Sequence, residues 1–234
     1  MSAVYRRELH AYFRSPVGYV FCAVYLVFSG IYFNSVLMTG QSSQFPQIYY
    51  GLLNVILLIL PVLTMRMFSE ERRHKTDQLL LTSPVGLTSL VMGKYLAALT
   101  VYGSCILFTL VYAVVFTFFT TPSWALIIGN ILGAILFGGA FISIGMFISS
   151  LTESQIVAAI GAFFIGTMLT LLDVIPQITS NKVILWIIDK ISFVGRYEPF
   201  TLGLLDFSSL IFFASVSAVF IFLTIMSIEK RRWS

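Results

Sequence analysis

The chain has 234 residues, 58% hydrophobic and 10% charged, where an ordinary soluble domain carries roughly 25% charged residues. So few charges cannot cover a water-facing surface, which excludes a soluble globular domain and leaves lipid as the main solvent. The net charge of +4 does not mark a nucleic-acid binder, because the basic residues fall in short clusters between apolar runs and form no recognition module.

In chain order, residues 4–14 mix Tyr5, Leu9, Tyr12 and Phe13 with Arg6, Arg7, Glu8 and Arg14. That composition suits a helix lying in the headgroup layer, the alternative being a basic tail that only fixes topology. Pro16 turns the chain into a first apolar run, 17–37. It exceeds the about 7–15 residues of a signal-peptide core and no small-x-small site follows, so it is predicted to be a retained anchor.

Crossing a hydrocarbon core of about 30 Å takes roughly 20 apolar residues as helix. Five further runs qualify, at 48–65, 95–119, 124–149, 155–175 and 208–228. Thr121 and Pro122 read as N-cap and first-turn proline of the fourth, Trp124 as its interfacial aromatic, and Ser154 as the cap of the fifth. Small residues at Gly129 and Gly133, Gly139 and Ser143, Gly145 and Ser149, and Ala158 and Ala162 predict that spans four and five pack closely, within one subunit or across a dimer. Cys22 and Cys105 sit in apolar runs and read as small packing residues.

Two segments do not cross. Between Arg66 and Lys94, Glu70, Glu71, Arg72, Arg73, His74, Lys75 and Asp77 precede Leu79, Leu80 and Leu81, and Ser83 with Pro84 starts a new helix. A solvated loop that only fixes topology explains the Lys and Arg residues but not the glutamates, which suit docking to another charged protein. Residues 182–194 put Ile184, Ile188, Ile191 and Val194 on one helical face, a short amphipathic helix on the outer surface that caps the bundle or borders a substrate site.

Six spans place both termini on one side, with eleven basic residues there against Lys182, Lys190 and Arg196 opposite, so that side is expected to be cytoplasmic. The expected fold is an all-α integral membrane protein, with residues 1–234 forming a single transmembrane domain.

No glycine-rich phosphate loop is present, since the segment from Gly86 to Lys94 has the wrong spacing and Tyr95 in place of Ser or Thr. No ionisable residue is expected at mid-span, and Asp173 reads as a solvated helix end rather than a coupling site. His10 and His74 have neither metal nor triad spacing. The chain is therefore expected to be no enzyme, to hold no cofactor or metal, and to be driven from elsewhere.

The sequence resembles the type-2 ABC transporter permeases, in particular the short six-span branch of gliding-motility and nitrous-oxide-reductase-maturation permeases. The resemblance rests on Arg7-Glu8-Leu9 through Tyr12-Phe13, Ser15-Pro16 and Tyr19; on the stretch from Met67 to Pro84 with Glu70-Glu71 and Leu79-Leu80-Leu81-Thr82-Ser83-Pro84-Val85, then Gly93-Lys94; and on Tyr197-Glu198-Pro199-Phe200, Gly203, Leu205-Asp206 and Arg231-Arg232-Trp233. It implies an elbow helix at residues 2–14, with Arg6, Arg7, Glu8 and Arg14. It also implies a coupling helix whose Glu70, Glu71, Arg72, Arg73, Lys75 and Thr76 contact an ATPase. Relatives often carry Gly-Thr where this chain has Lys75-Thr76, and without the glycine the helix is expected to run on.

The resemblance further implies two ATPase subunits holding ATP and magnesium, a second permease, identical or related, and a prokaryotic inner membrane. An exporter of an amphiphile or peptide is the leading expectation. The alternatives are a membrane anchor in a motility or maturation complex and an ion-coupled secondary transporter.

Overall fold

A computed structural model describes residues 2–39, 44–75, 86–119, 123–177 and 181–232. The helices among these residues are α1 (Ser2–Arg14), α2 (Pro16–Thr39), α3 (Pro46–Thr64), α4 (Arg66–Arg73), α5 (Leu87–Phe108), α6 (Leu110–Phe116), α7 (Trp124–Leu151), α8 (Gln155–Leu171), α9 (Lys182–Ile191), α10 (Phe193–Thr201) and α11 (Phe207–Arg232). A 3₁₀ turn, Leu172–Gln177, follows α8. No strand occurs among the described residues.

Among the described residues, six stretches are long and apolar enough to cross a bilayer: Pro16–Met38, Pro46–Arg73, Leu87–Phe116, Trp124–Leu151, Gln155–Pro176 and Phe207–Lys230. They coincide with the six runs read from the sequence, and the all-helical expectation is borne out. Six crossings bring α1 and the end of α11 to one end of the bundle, its basic end. The segments α9 and α10 lie at the far end.

The centre of the bundle is α7, whose apolar window is 72% buried against 17% for the fifth span and 11% for the sixth. It packs against α3, α5, α8, α10 and α11. Its small residues let these neighbours approach: Gly138 lies under the Tyr102 ring, Gly145 against Thr64, and Gly133 against Phe200. Tyr102 completes its seat by donating its hydroxyl to the Ala134 carbonyl at 2.7 Å. The small-residue pattern thus serves spans two and three and α10 as much as span five, which is peripheral and buries only Ala158, Ala162 and Gly166.

Several boundaries differ from expectation. The third span begins at Leu87 rather than residue 95, because α5 extends two turns beyond the apolar run and carries Lys94 inside it. The helix α7 starts at Trp124 after an extended Ser123; Thr121 and Pro122 lie outside the described residues. Ser154 caps α8 as expected, accepting from the Val157 N–H. The free thiols of Cys22 and Cys105, distant in sequence, bring their sulfurs to 3.2 Å where α2 meets α5.

At the far end, the single amphipathic helix expected over 182–194 is two helices. Ser192 breaks it and caps α10, its hydroxyl accepting from the Gly195 N–H at 2.7 Å. Val194 therefore belongs to α10, Ile191 is exposed, and the Ile184 side chain lies outside the described residues. Packed on the first turns of α7, α10 buries Tyr197 and Phe200 completely. Asn130 of α7 ties it down, accepting from the Tyr197 hydroxyl at 3.2 Å and donating to the Phe200 carbonyl at 3.3 Å. The helix ends in a left-handed Gly203, φ +73°, with Leu204 N–H on Pro199 O and Gly203 N–H on Phe200 O. That is a Schellman closure, which needs glycine at this position.

A methyl group at Gly138 collides with Tyr102, whereas one at Gly103 meets nothing. Gly138→Ala is therefore expected to lower stability by about 1–3 kcal/mol. Gly103→Ala is expected to be neutral or to raise it by up to about 1 kcal/mol. Thermal unfolding in detergent micelles measures both, and equal melting temperatures would contradict the hub assignment.

Candidate functional site

At the basic end the second span does not stop at the bilayer edge. Thr64, Met65 and Arg66 keep right-handed helical geometry, so α3 passes into α4 with only a slight joint at Met65, which has φ −55° and ψ −32°. The continuous helix, 28 residues from Pro46 to Arg73, is about 42 Å long, beyond the about 30 Å of a hydrocarbon core. Its last turns therefore project as α4. Pro61, four residues before the joint, removes one backbone donor, and the Met65 N–H bonds the Pro61 carbonyl at 2.8 Å.

Ser149 of α7 holds the joint. Its hydroxyl accepts from the Phe68 and Ser69 N–H groups at 3.1 and 3.2 Å and donates to the Met65 carbonyl at 3.0 Å. Ser69 also donates its hydroxyl to that carbonyl. The end of α7 thereby grips the joint and the first turn of α4.

The elbow α1 lies across the same region. Gly18 lets α2 start tightly against α1, since a Cβ there would sit 2.5 Å from the Tyr12 carbonyl oxygen. Gly93 of α5 opens room for Val4, whose Cγ1 would otherwise be 2.9 Å from a Cβ. Tyr5 shares a 3.0 Å hydrogen bond with Thr100 of α5, and Tyr12 donates to the Leu63 carbonyl of α3 at 3.2 Å.

Four charges close the assembly. Lys94, 3% exposed, places its Nζ 2.8 Å from Glu71 Oε1 and 3.3 Å from Glu8 Oε1, over the Phe68 ring. Arg7 Nη2 lies 2.6 Å from Glu8 Oε1 and 3.4 Å from Glu71 Oε1. Two cations and two anions balance, which is what a little-hydrated cluster requires. Alongside, Arg66 forms a bidentate pair with Glu70 at 2.7 and 2.8 Å. Arg72 reaches Glu153 and the Ser150 carbonyl, both at 3.4 Å.

The positions expected to contact a partner thus divide. Glu71 is turned into the protein by Lys94, Glu70 is engaged by Arg66, and Arg72 spans to the turn between α7 and α8. Arg73, His74 and Lys75 are exposed, as are Arg6, His10 and Arg14 of α1. Thr76, Asp77 and 79–85 lie outside the described residues. Sequence reading missed Lys94 and Ser149 as members of this site. Lys94 looked like a loop cation because the apolar run starts after it, although its place beside Gly93 in a helix-compatible stretch was a usable signal.

The helix α4 does not run on without glycine. It ends at Arg73, and Lys75 adopts the left-handed conformation, φ 55°, that a glycine would take without strain.

A second feature lies at the far end. Two adjoining cavities of about 510 and 440 Å³ share Tyr50, Asp173 and Val194 in their walls, one running down between α3 and α8, the other under α9 and α10. Asp173 is more than a solvated helix end, because its Oδ2 accepts from the Val194 N–H at 3.2 Å and ties the fifth span to the start of α10.

Lys94→Met strands two carboxylates beside Arg7 alone and is expected to cost on the order of 3 kcal/mol. Adding Glu71→Gln should recover more than half of that loss in micelle unfolding; strict additivity would show that the two residues are not coupled. Lys75→Gly is expected to gain about 1 kcal/mol by relieving the left-handed strain, read in the same assay.

No curated protein matches the chain significantly. The family model described as ABC-2 family transporter protein matches residues 19–229, which is nearly all of the six-span bundle. The chain belongs to the ABC-2 family of transporter proteins, as a multi-pass membrane component of an ABC transporter.

Proposed function

We propose that residues 1–234 act as one transmembrane unit, the permease subunit of an exporter powered by a separate ATPase that docks on the basic end. The observation that carries this reading is α4: it prolongs the second span, is fastened to α1, α5 and α7, and ends in exposed Arg73, His74 and Lys75. A contact on such a projection is passed to packed spans rather than absorbed by a flexible loop. The ATPase holds ATP and magnesium. Two ATPase copies and a second permease, identical or related, complete the assembly.

The basic end faces the cytoplasm of a prokaryotic cell, the membrane being the inner one, because eleven of the fourteen Lys and Arg residues lie on that side. The Glu70-Glu71 pair and the Thr82-Ser83-Pro84-Val85 sequence support the short six-span branch of gliding-motility and nitrous-oxide-reductase-maturation permeases. The buried Lys94 cluster is the sort of group an ion-coupled transporter uses. Its place at a span end, paired with the surface helix α1, favours a structural role instead.

The test is capture of a candidate ABC ATPase by the full-length chain. Arg73→Glu with Lys75→Glu should weaken capture roughly tenfold or more, as expected for charges in a docking contact. Undiminished capture by a normally folded double variant would overturn the docking claim. Solute movement by the purified chain alone, driven by an ion gradient, would overturn the ATPase-driven reading.

A further inference from the structure

We infer that the far-end cleft binds an amphiphilic organic cation; this rests on the permease reading and names the class of substrate that reading lacks. The cleft is continuous, since Tyr50, Asp173 and Val194 border both of its parts. Its deep part, lined by Leu57, Leu58 and Phe163, lies about 17 Å along the second span from Pro46. Its mouth reaches Glu198 of α10.

The lining is wrong for a face that meets only lipid. Asn54 is exposed in this groove at bilayer depth, one turn from Leu58, with Thr167 and Thr170 across from it on α8. Thr170 quiets its own hydroxyl by donating to the Thr167 carbonyl at 2.9 Å. The Asn54 amide has no such partner among the described residues, and an unsatisfied amide against hydrocarbon is costly. A molecule that is part apolar and part polar fits this wall, whereas an acyl chain alone does not.

Charge then selects the sign. Among the described residues, the charged side chains of the lining are Asp173 and Glu198, both acidic. Arg196, between Gly195 and Tyr197, turns away from the cleft: it donates to the Ser208 hydroxyl at 2.7 Å and sits 5.7 Å from the Phe212 ring. Lys182 and Lys190 are exposed and do not line either cavity. An anion entering here meets two carboxylates and no cation among the described lining residues. An organic cation meets those carboxylates and the Tyr50 ring at the junction, and carboxylate with aromatic is a recurrent means of holding ammonium-like groups.

The test uses two ions of one shape and opposite charge, tetraphenylphosphonium and tetraphenylborate. The full-length chain in phosphatidylcholine nanodiscs is dialysed to equilibrium with each, and uptake by empty nanodiscs is subtracted. Saturable phosphonium binding is expected, roughly tenfold or more tighter than any borate binding. Glu198 is exposed, so Glu198→Lys should leave elution volume and melting temperature unchanged while weakening phosphonium binding about tenfold. Glu198→Asp should retain it.

Equal affinity for the two ions, uptake no greater than in empty nanodiscs, or full phosphonium binding by Glu198→Lys would overturn the inference. The second of these is also the result expected if another protein chain fills the cleft. No nucleotide or ATPase enters this assay, so its failure leaves the docking claim to the capture experiment.

Discussion

The architecture of the basic end depends on keeping one ammonium group, that of Lys94, charged and almost dry at the edge of the bundle. A lone buried cation is untenable, so Glu71 and Glu8 must come to it from two other helices, and Arg7 must follow to balance the second carboxylate. That requirement fixes three things together: the rotation of α4 about its axis, the position of the elbow on α5, and the face of α5 turned toward both. The Phe68 ring beneath the ammonium and the room at Gly93 show the apolar packing agreeing with the electrostatics.

The six spans were legible because lipid imposes length and hydropathy on any helix that crosses it, and both can be counted along a chain. Caps were legible where the side chain does the capping, as at Ser154. The parts that escaped depend on distant partners. Nothing local to Ser149 announces that its hydroxyl will hold the joint at Met65, 84 residues away in the chain. The glycines of α7 announced close contact but not with what, and Gly133 proved to seat Phe200 rather than a neighbouring span. Mixed charge between Arg66 and Lys75 was visible as composition, yet only packing separates Glu71, which points inward, from Arg73, which does not.

Ser192 illustrates the same limit at the far end. An apolar periodicity that continues through residues 182–194 reads as one helix, because periodicity is blind to a single capping serine in its middle. The hydroxyl of Ser192 and the carboxylate of Asp173 together satisfy two N–H groups at the start of α10, and that local satisfaction outweighs continuation of the helix. The break lets α10 turn in against α7 and leaves the cleft open beneath it.

The charge cluster at the basic end and the cleft are not independent, because one helix belongs to both. Tyr50 and Asn54 line the cleft and Glu71 enters the cluster, all on the stretch from Pro46 to Arg73. Within it, Pro61 supplies no backbone donor, and at the joint the Ser149 hydroxyl meets the Met65 carbonyl and the Phe68 and Ser69 N–H groups. A displacement of α4 would therefore act on two neighbours at once, on the second span through the continuous helix and on α7 through the Ser149 hydroxyl, whose three hydrogen bonds link the joint directly to the hub of the bundle.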